Sequence, residues 1–281
     1  MNEPLLYRLL WKAGSVYPGA HPGQLVGVGP LYKRHAPLLA SPDPRRIDMR
    51  ASLLDPFSSY RVRVYQQQSN VDVYMLADLS ASMAYHGSSD KKHTVRQLLT
   101  ALAESAYGYG DKFGFIGCGD TIDHQFLVPA SRHGHSLQQL SDRLSKAKYQ
   151  GSAKSLVQAV KHLPGKRALV FLVSDLHFPL TQLQKLLASL QGHEVLPVVL
   201  WDENETVNLP EWGLVTMQDM ENNKKIQLFM RPALKQKMIA AYQHRQQQLQ
   251  ACCRSFGIEP LFMNGAYNAQ QINRYFQQRA A

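Results

Sequence analysis

Residues 71–83 read Val71-Asp72-Val73-Tyr74-Met75-Leu76-Ala77-Asp78-Leu79-Ser80-Ala81-Ser82-Met83. An apolar run ends at Asp78, and Ser80 and Ser82 follow at alternate positions, so a buried strand hands over to a loop carrying one carboxylate and two hydroxyls. Hard divalent cations such as Mg²⁺ take oxygen ligands of this kind, and Mg²⁺ is usually held by one or two carboxylates plus water. Asp and Ser are also common in ordinary polar turns, where they bond the local backbone. The spacing alone leaves both readings open.

Working outward from this stretch, residues 60–65 alternate as a lead-in strand before it, and a helix over residues 92–107 follows, with Val95, Leu98, Leu99, Leu102 and Ala106 on one face. Strands are expected over 112–118 and 121–128, and the short Gly119-Asp120 connection makes the second run backwards. A helix over 136–146 and another opening near 151 and running through Leu163 come next. Ala168 to Val173 is a continuous apolar run, typical of a central parallel strand buried on both faces, and it ends in Ser174-Asp175. Two strands therefore each place an Asp at the carboxyl end, the edge at which ligands collect in open α/β sheets. Asp175 also reads as an N-cap for a helix over 180–190. Further strands are expected over 194–200, over 214–217 at the sheet edge and over 258–263, with helices over 231–256 and 269–278.

Three segments result. Residues 1–50 carry seven prolines interleaved with glycines and read as an irregular extension, helical only over 5–11. Residues 51–70 are the lead-in segment, and 71–281 form the main domain with a C-terminal helical extension.

The Asp78-x-Ser80-x-Ser82 pattern resembles the metal-ion-dependent adhesion site of von Willebrand factor A domains. With Arg45-Arg46-Ile47-Asp48 and a short basic strand ahead of it, the chain from about residue 43 is similar to the bacterial domain-of-unknown-function family fifty-eight, a von Willebrand A-like group. Met49 stands where that family usually has Trp. The resemblance implies a Rossmann-like open sheet, mostly parallel with one antiparallel edge strand and helices on both faces. It implies a Mg²⁺ site, with Mn²⁺ or Ca²⁺ as alternatives, built by Asp78, Ser80, Ser82 and Asp175. A partner's acidic side chain completes the coordination in such sites. The family's second loop supplies a Thr, and here Gly151-Ser152-Ala153 aligns with it, so Ala153 takes the Thr position; either Ser152 or Ser155 supplies an oxygen instead, or a water fills the gap, or the site binds metal weakly or not at all. Proteins of this group are commonly associated with MoxR-type AAA+ ATPases, which implies an adaptor role in a chaperone or maturation system.

Composition narrows the alternatives. A net charge of +10 favours an acidic partner, and nucleic acid is one such class, yet no helix-turn-helix, zinc-finger or RNP-type motif supplies readout. Cys118, Cys252 and Cys253 lack C-x-x-C spacing and read as reduced packing residues. With no apolar run near the roughly 20 residues of a membrane span and no recognisable signal peptide, a cytoplasmic location is expected. Hydrolysis through Ser80 or Ser82 is the main enzymatic competitor, with His86 or His93 as base, but neither serine sits in G-x-S-x-G. No P-loop is present. Gly117-Cys118-Gly119 lacks the rest of a dinucleotide fingerprint. Asp202, Glu203 and Glu205 read as a solvated loop rather than an acid/base pair.

Overall fold

A computed structural model describes the chain except for residues 1–3, 16, 28–30, 86, 88–89, 133, 135–136, 203–209, 219–224, 265 and 280–281. His86, Ser136, Glu203 and Glu205 lie outside the described residues. The chain divides into two compact units, Leu9–Val71 with Gly108–Asp111, and the remainder.

The smaller unit is a three-stranded antiparallel sheet of β1 (His21–Gly27), β2 (Leu31–Pro37) and β3 (Arg61–Ser69), with β3 in the middle, and it includes the short helix α1 (Met49–Leu53). Val62 and Val64 alternate inward along β3 and pack with Ala36, Leu38 and Ile47. The motif residue Asp48 organises this unit. Its carboxylate caps α1 through the Ala51 N–H at 3.2 Å and accepts from Arg63 Nε at 2.8 Å. The Arg63 hydrogen bond holds the Asp48 carboxyl well below the usual range. Residues 1–50 are thus less irregular than their prolines suggest. Pro22 and Pro37 lie within β1 and β2, the two outer strands, where a missing N–H is tolerated. Residues 5–11 form no helix.

The larger unit holds β4 (Asp72–Asp78), α2 (Lys91–Gly108), β5 (Lys112–Cys118), β6 (Ile122–Ser131), α3 (Leu137–Lys146), α4 (Leu156–Ala159), β7 (Leu169–Ser174), α5 (Leu180–Ser189), β8 (Glu194–Trp201), β9 (Gly213–Gln218), β10 (Lys225–Met230), α6 (Pro232–Arg254), β11 (Leu261–Asn264) and α7 (Ala269–Arg279). Its six-stranded sheet has the order β11-β8-β7-β4-β5-β6, parallel throughout except for the edge strand β6. This is the doubly wound order, with the strand sequence reversing at β4 and β7. Both strands are buried along their whole length. On β7, Leu172 joins the cluster containing Leu156 and Ala159 of α4 and Leu186 of α5, whereas Phe171 faces Phe276 of α7 at 6.2 Å between ring centroids. Alternation along one strand therefore places helices on both faces.

Three local expectations change. The helix expected from 151 through 163 is confined to α4 followed by a 3-10 turn at Val160–His162, because residues 151–155 are spent on loop contacts. β9 is not an edge of the main sheet: it pairs only with β10, in a separate antiparallel ribbon. Asp175 does not cap α5, whose N-cap position is Pro179.

Candidate functional site at the carboxyl edge of the sheet

The register Ala77↔Val173 aligns the ends of β4 and β7, so Asp78 emerges beside Ser174. Ser174 Oγ donates to Asp78 Oδ2 at 2.6 Å and accepts from the Leu176 N–H at 3.0 Å. Asp78 Oδ1 takes the Ser80 N–H at 2.8 Å, which folds the loop back over the strand end. Ser80 Oγ and Ser82 Oγ then lie 3.1 Å apart, in a 3-10 turn that begins at Ala81. Asp78, Ser80 and Asp175 are almost wholly buried, and Ser82 is half-buried.

Two carboxylates taken out of water at one place raise each other's cost of ionisation. Burial, and next to it the charge of Asp175, pushes the Asp78 carboxyl up to about 6, against the pull of the Ser174 and Ser80 hydrogen bonds. The loop that follows β7 is held from behind. Trp201 Nε1 donates to the Asp175 carbonyl at 2.8 Å, and Arg245 Nη2 of α6 donates to the carbonyls of Leu176 and Phe178 at 2.9 and 2.6 Å. Between them Leu176 takes φ +52°, a left-handed conformation that a branched residue adopts only when its surroundings impose it.

A lysine completes the cluster. Lys91 Nζ, at the start of α2, lies 3.4 Å from Asp175 Oδ2 and 5.7 Å from the centroid of the Tyr85 ring. Asp202, just past β8, is also fully buried, in contrast to the solvated loop expected there. A Cβ added at Gly87 would stand 2.6 Å from its carboxylate and from the Tyr85 ring, so the chain leaving the serine pair is packed tightly against it.

The second loop behaves differently. Ser152 is exposed, and both its N–H and its Oγ donate to Asp120 Oδ1, at 3.0 and 2.8 Å. Ala153 points into the core beside Leu156 and Leu172. Ser155 Oγ is buried near the Cys118 thiol and bonds no oxygen or nitrogen. Neither serine bonds Asp78 or Ser80.

The donor set of Asp78, Ser80, Ser82 and Asp175 consists of hard oxygens with two desolvated carboxyl groups, a chemistry that fits a small divalent cation. Among the described residues no group of three or more His, Cys, Asp and Glu is placed to hold a metal ion, so a cation here would depend on the two serine hydroxyls as well as the two carboxylates. Neither the Ser80 nor the Ser82 hydroxyl bonds a histidine among the described residues.

Sequence reading singled out Asp78, Ser80, Ser82 and Asp175 as candidates and passed over Ser174 and Lys91, which the structure places against Asp78 and Asp175. Ser174 is found by laying the two apolar runs side by side in parallel register. Lys91 is found by extending the α2 stripe of Val95, Leu98 and Leu102 one turn backwards, which puts a lysine on the buried face.

The chain is 24% identical over 242 residues to the uncharacterized proteins Rv1480 of Mycobacterium tuberculosis and Mb1516 of Mycobacterium bovis, covering 83% of this chain and 74% of theirs. Among solved structures it resembles the conserved hypothetical protein BatB from Bacteroides thetaiotaomicron, at 15% identity and a TM-score of 0.44 over 75% of this chain and 99% of that one. The SpRpn10 VWA domain matches at 11% identity and a TM-score of 0.40, over 74% of this chain and 95% of that one. The family described as "Protein of unknown function DUF58" matches residues 45–248, most of the chain, and the chain belongs to that family.

Proposed function

We propose that this chain is a non-enzymatic protein-interaction module in which Asp78, Ser80, Ser82 and Asp175 hold a divalent cation, Mg²⁺ ahead of Mn²⁺ or Ca²⁺. Once bound, the cation supplies a Lewis-acidic point that a partner's carboxylate completes. The chain's own part is to gather oxygens. Ser174 and the Ser80 N–H orient the two oxygens of Asp78, and the Trp201 and Arg245 hydrogen bonds fix the backbone that carries Asp175. The observation that carries the reading is the pairing of two buried carboxylates from separate strand ends with two hydroxyls 3.1 Å apart.

A partner-binding role is also supported in the smaller unit. Leu53, Leu54 and Phe57, at and just after α1, are each more than four-fifths exposed, and apolar surface of this kind marks contact sites. The net charge of +10 favours an acidic partner and speeds encounter with it. The partner class that the family resemblance implies is a MoxR-type AAA+ ATPase, for which the chain acts as adaptor. A metal-free scaffold is the second reading, favoured by the Lys91–Asp175 ion pair and by the Ala153 methyl turned into the core. Nucleic-acid binding and metal-dependent hydrolysis rest on charge and on the serine pair alone.

Titration calorimetry with Mg²⁺, Mn²⁺ and Ca²⁺ tests the reading. Wild type takes up one cation per chain, and Asp78→Asn, which keeps the shape but removes the charge, loses the heat. Absence of heat with all three metals for wild type sinks the metal site and leaves the scaffold.

A further inference from the structure

We propose that Lys91 is the resident counter-cation of this site, a tethered ammonium that closes the cup between metal-binding events and that a divalent cation must displace. The inference rests on the metal reading above and adds its regulation. Lys91 and Asp175 side chains are only 3% and 2% exposed, with Nζ 3.4 Å from Oδ2. Burying an ammonium costs several kcal/mol unless a carboxylate lies against it. The helix offers no compensation, because Lys91 is the first residue of α2, where the dipole disfavours positive charge. The Asp175 carboxylate, 3.4 Å from Nζ, offsets that cost.

Asp78 and Asp175 repel each other when both are ionised, so their pocket favours a cation beside them. Lys91 provides one from within the chain, and Tyr85 flanks it with its ring face. A divalent ion binding the same carboxylates would meet that ammonium at short range in a low dielectric, where like charges repel strongly. The two cannot share the cup. Four flexible carbons let the lysine leave without moving α2. Metal uptake is therefore an exchange, its affinity is set against the lysine, and the protein keeps a folded, metal-free state without two uncompensated buried carboxylates.

The exchange is measured on the full chain after chelation, by titrating Mn²⁺ into wild type and into Lys91→Met, which keeps the length of the stem and removes the charge. Lys91→Met is expected to bind at least about tenfold more tightly. In chelator it melts below wild type, and Mn²⁺ restores it. Equal or weaker binding by the variant overturns the role of Lys91 while leaving the metal site standing. No binding by either folded protein overturns both. A second measurement uses wild type alone, should the variant not fold. Acetic anhydride labelling, read residue by residue by mass spectrometry, acetylates Lys91 slowly in chelator and at least about tenfold faster in saturating Mn²⁺. Lys166, whose side chain is 52% exposed, is labelled equally in both. If Lys91 stays protected while Mn²⁺ is bound, the exchange does not occur and the inference fails.

Discussion

The loop after β4 and the loop before α4 touch, the Ala81 N–H donating to the Gly151 carbonyl at 3.1 Å, yet they use their serines in opposite ways. In the first, Asp78 draws in the Ser80 backbone and the Ser174 hydroxyl, leaving the Ser80 and Ser82 hydroxyls facing each other. In the second, Ser152 is turned outward to Asp120, Ala153 inward to the core, and Ser155 is sealed beside Cys118. The difference lies in where each backbone is anchored. The first loop hangs on a buried carboxylate at the end of a strand, so its oxygens gather around charge. The second hangs on an exposed carboxylate, Asp120, and its polar groups are consumed in holding a left-handed turn at Gly151. The two loops thus touch, yet only the first gathers its polar groups around buried charge.

The largest effect that tests this contrast comes from pH. Asp78 is raised from 3.8 to about 6. A carboxyl whose folded value is raised contributes stability that is full below the unfolded value and is lost as pH rises through the folded one. The window runs from about pH 4 to pH 6. In chelator, the stability of Asp78→Asn relative to wild type should therefore rise by on the order of 3 kcal/mol between pH 4 and pH 7, measured by urea unfolding at each pH. A gap that does not change with pH would mean that ionising Asp78 carries no net cost in the folded protein.

A smaller effect belongs to the second loop. Gly151 has φ +69°, and a Cβ there would stand 1.9 Å from Asp120 Oδ2. Gly151→Ala should destabilise by about 1 to 3 kcal/mol, through the left-handed backbone and the displaced Asp120 side chain. The pH response assigned to Asp78 should survive unchanged in this variant. If that response collapses as well, the Ala81–Gly151 contact couples the two loops and their separation is false.

The main sheet was readable in the sequence because its strands are driven by burial. The apolar run ending in Asp78 and the run over β7 admit little else, and the short connection after Cys118 forces β6 backwards. The two strands before residue 40 were not readable, because prolines in outer strands look the same as prolines in loops. The acidic half of the site was readable from strand ends. Ser174 and Lys91 were not, since one depends on the register between distant strands and the other on which helical face is buried. Asp202 was misread for a related reason: flanking acidic residues suggest solvent, whereas its position one residue past a fully buried strand decides its burial.

The smallest predicted effect addresses the position the second loop has left vacant. Ser155 Oγ is buried and has only the weakly interacting Cys118 thiol beside it. A hydroxyl in that state gives up its bonds to water and recovers little, so removing it should be nearly neutral. Ser155→Ala is expected to change stability by less than about 1 kcal/mol, and in the stabilising direction, when thermal unfolding is compared in chelator. The same small shift should be found in Mn²⁺. A loss confined to the Mn²⁺ samples would mean that Ser155 turns toward the cup when a cation arrives, making it the second-loop oxygen that Ala153 does not provide. The contrast between the loops would then describe only the state closed by Lys91.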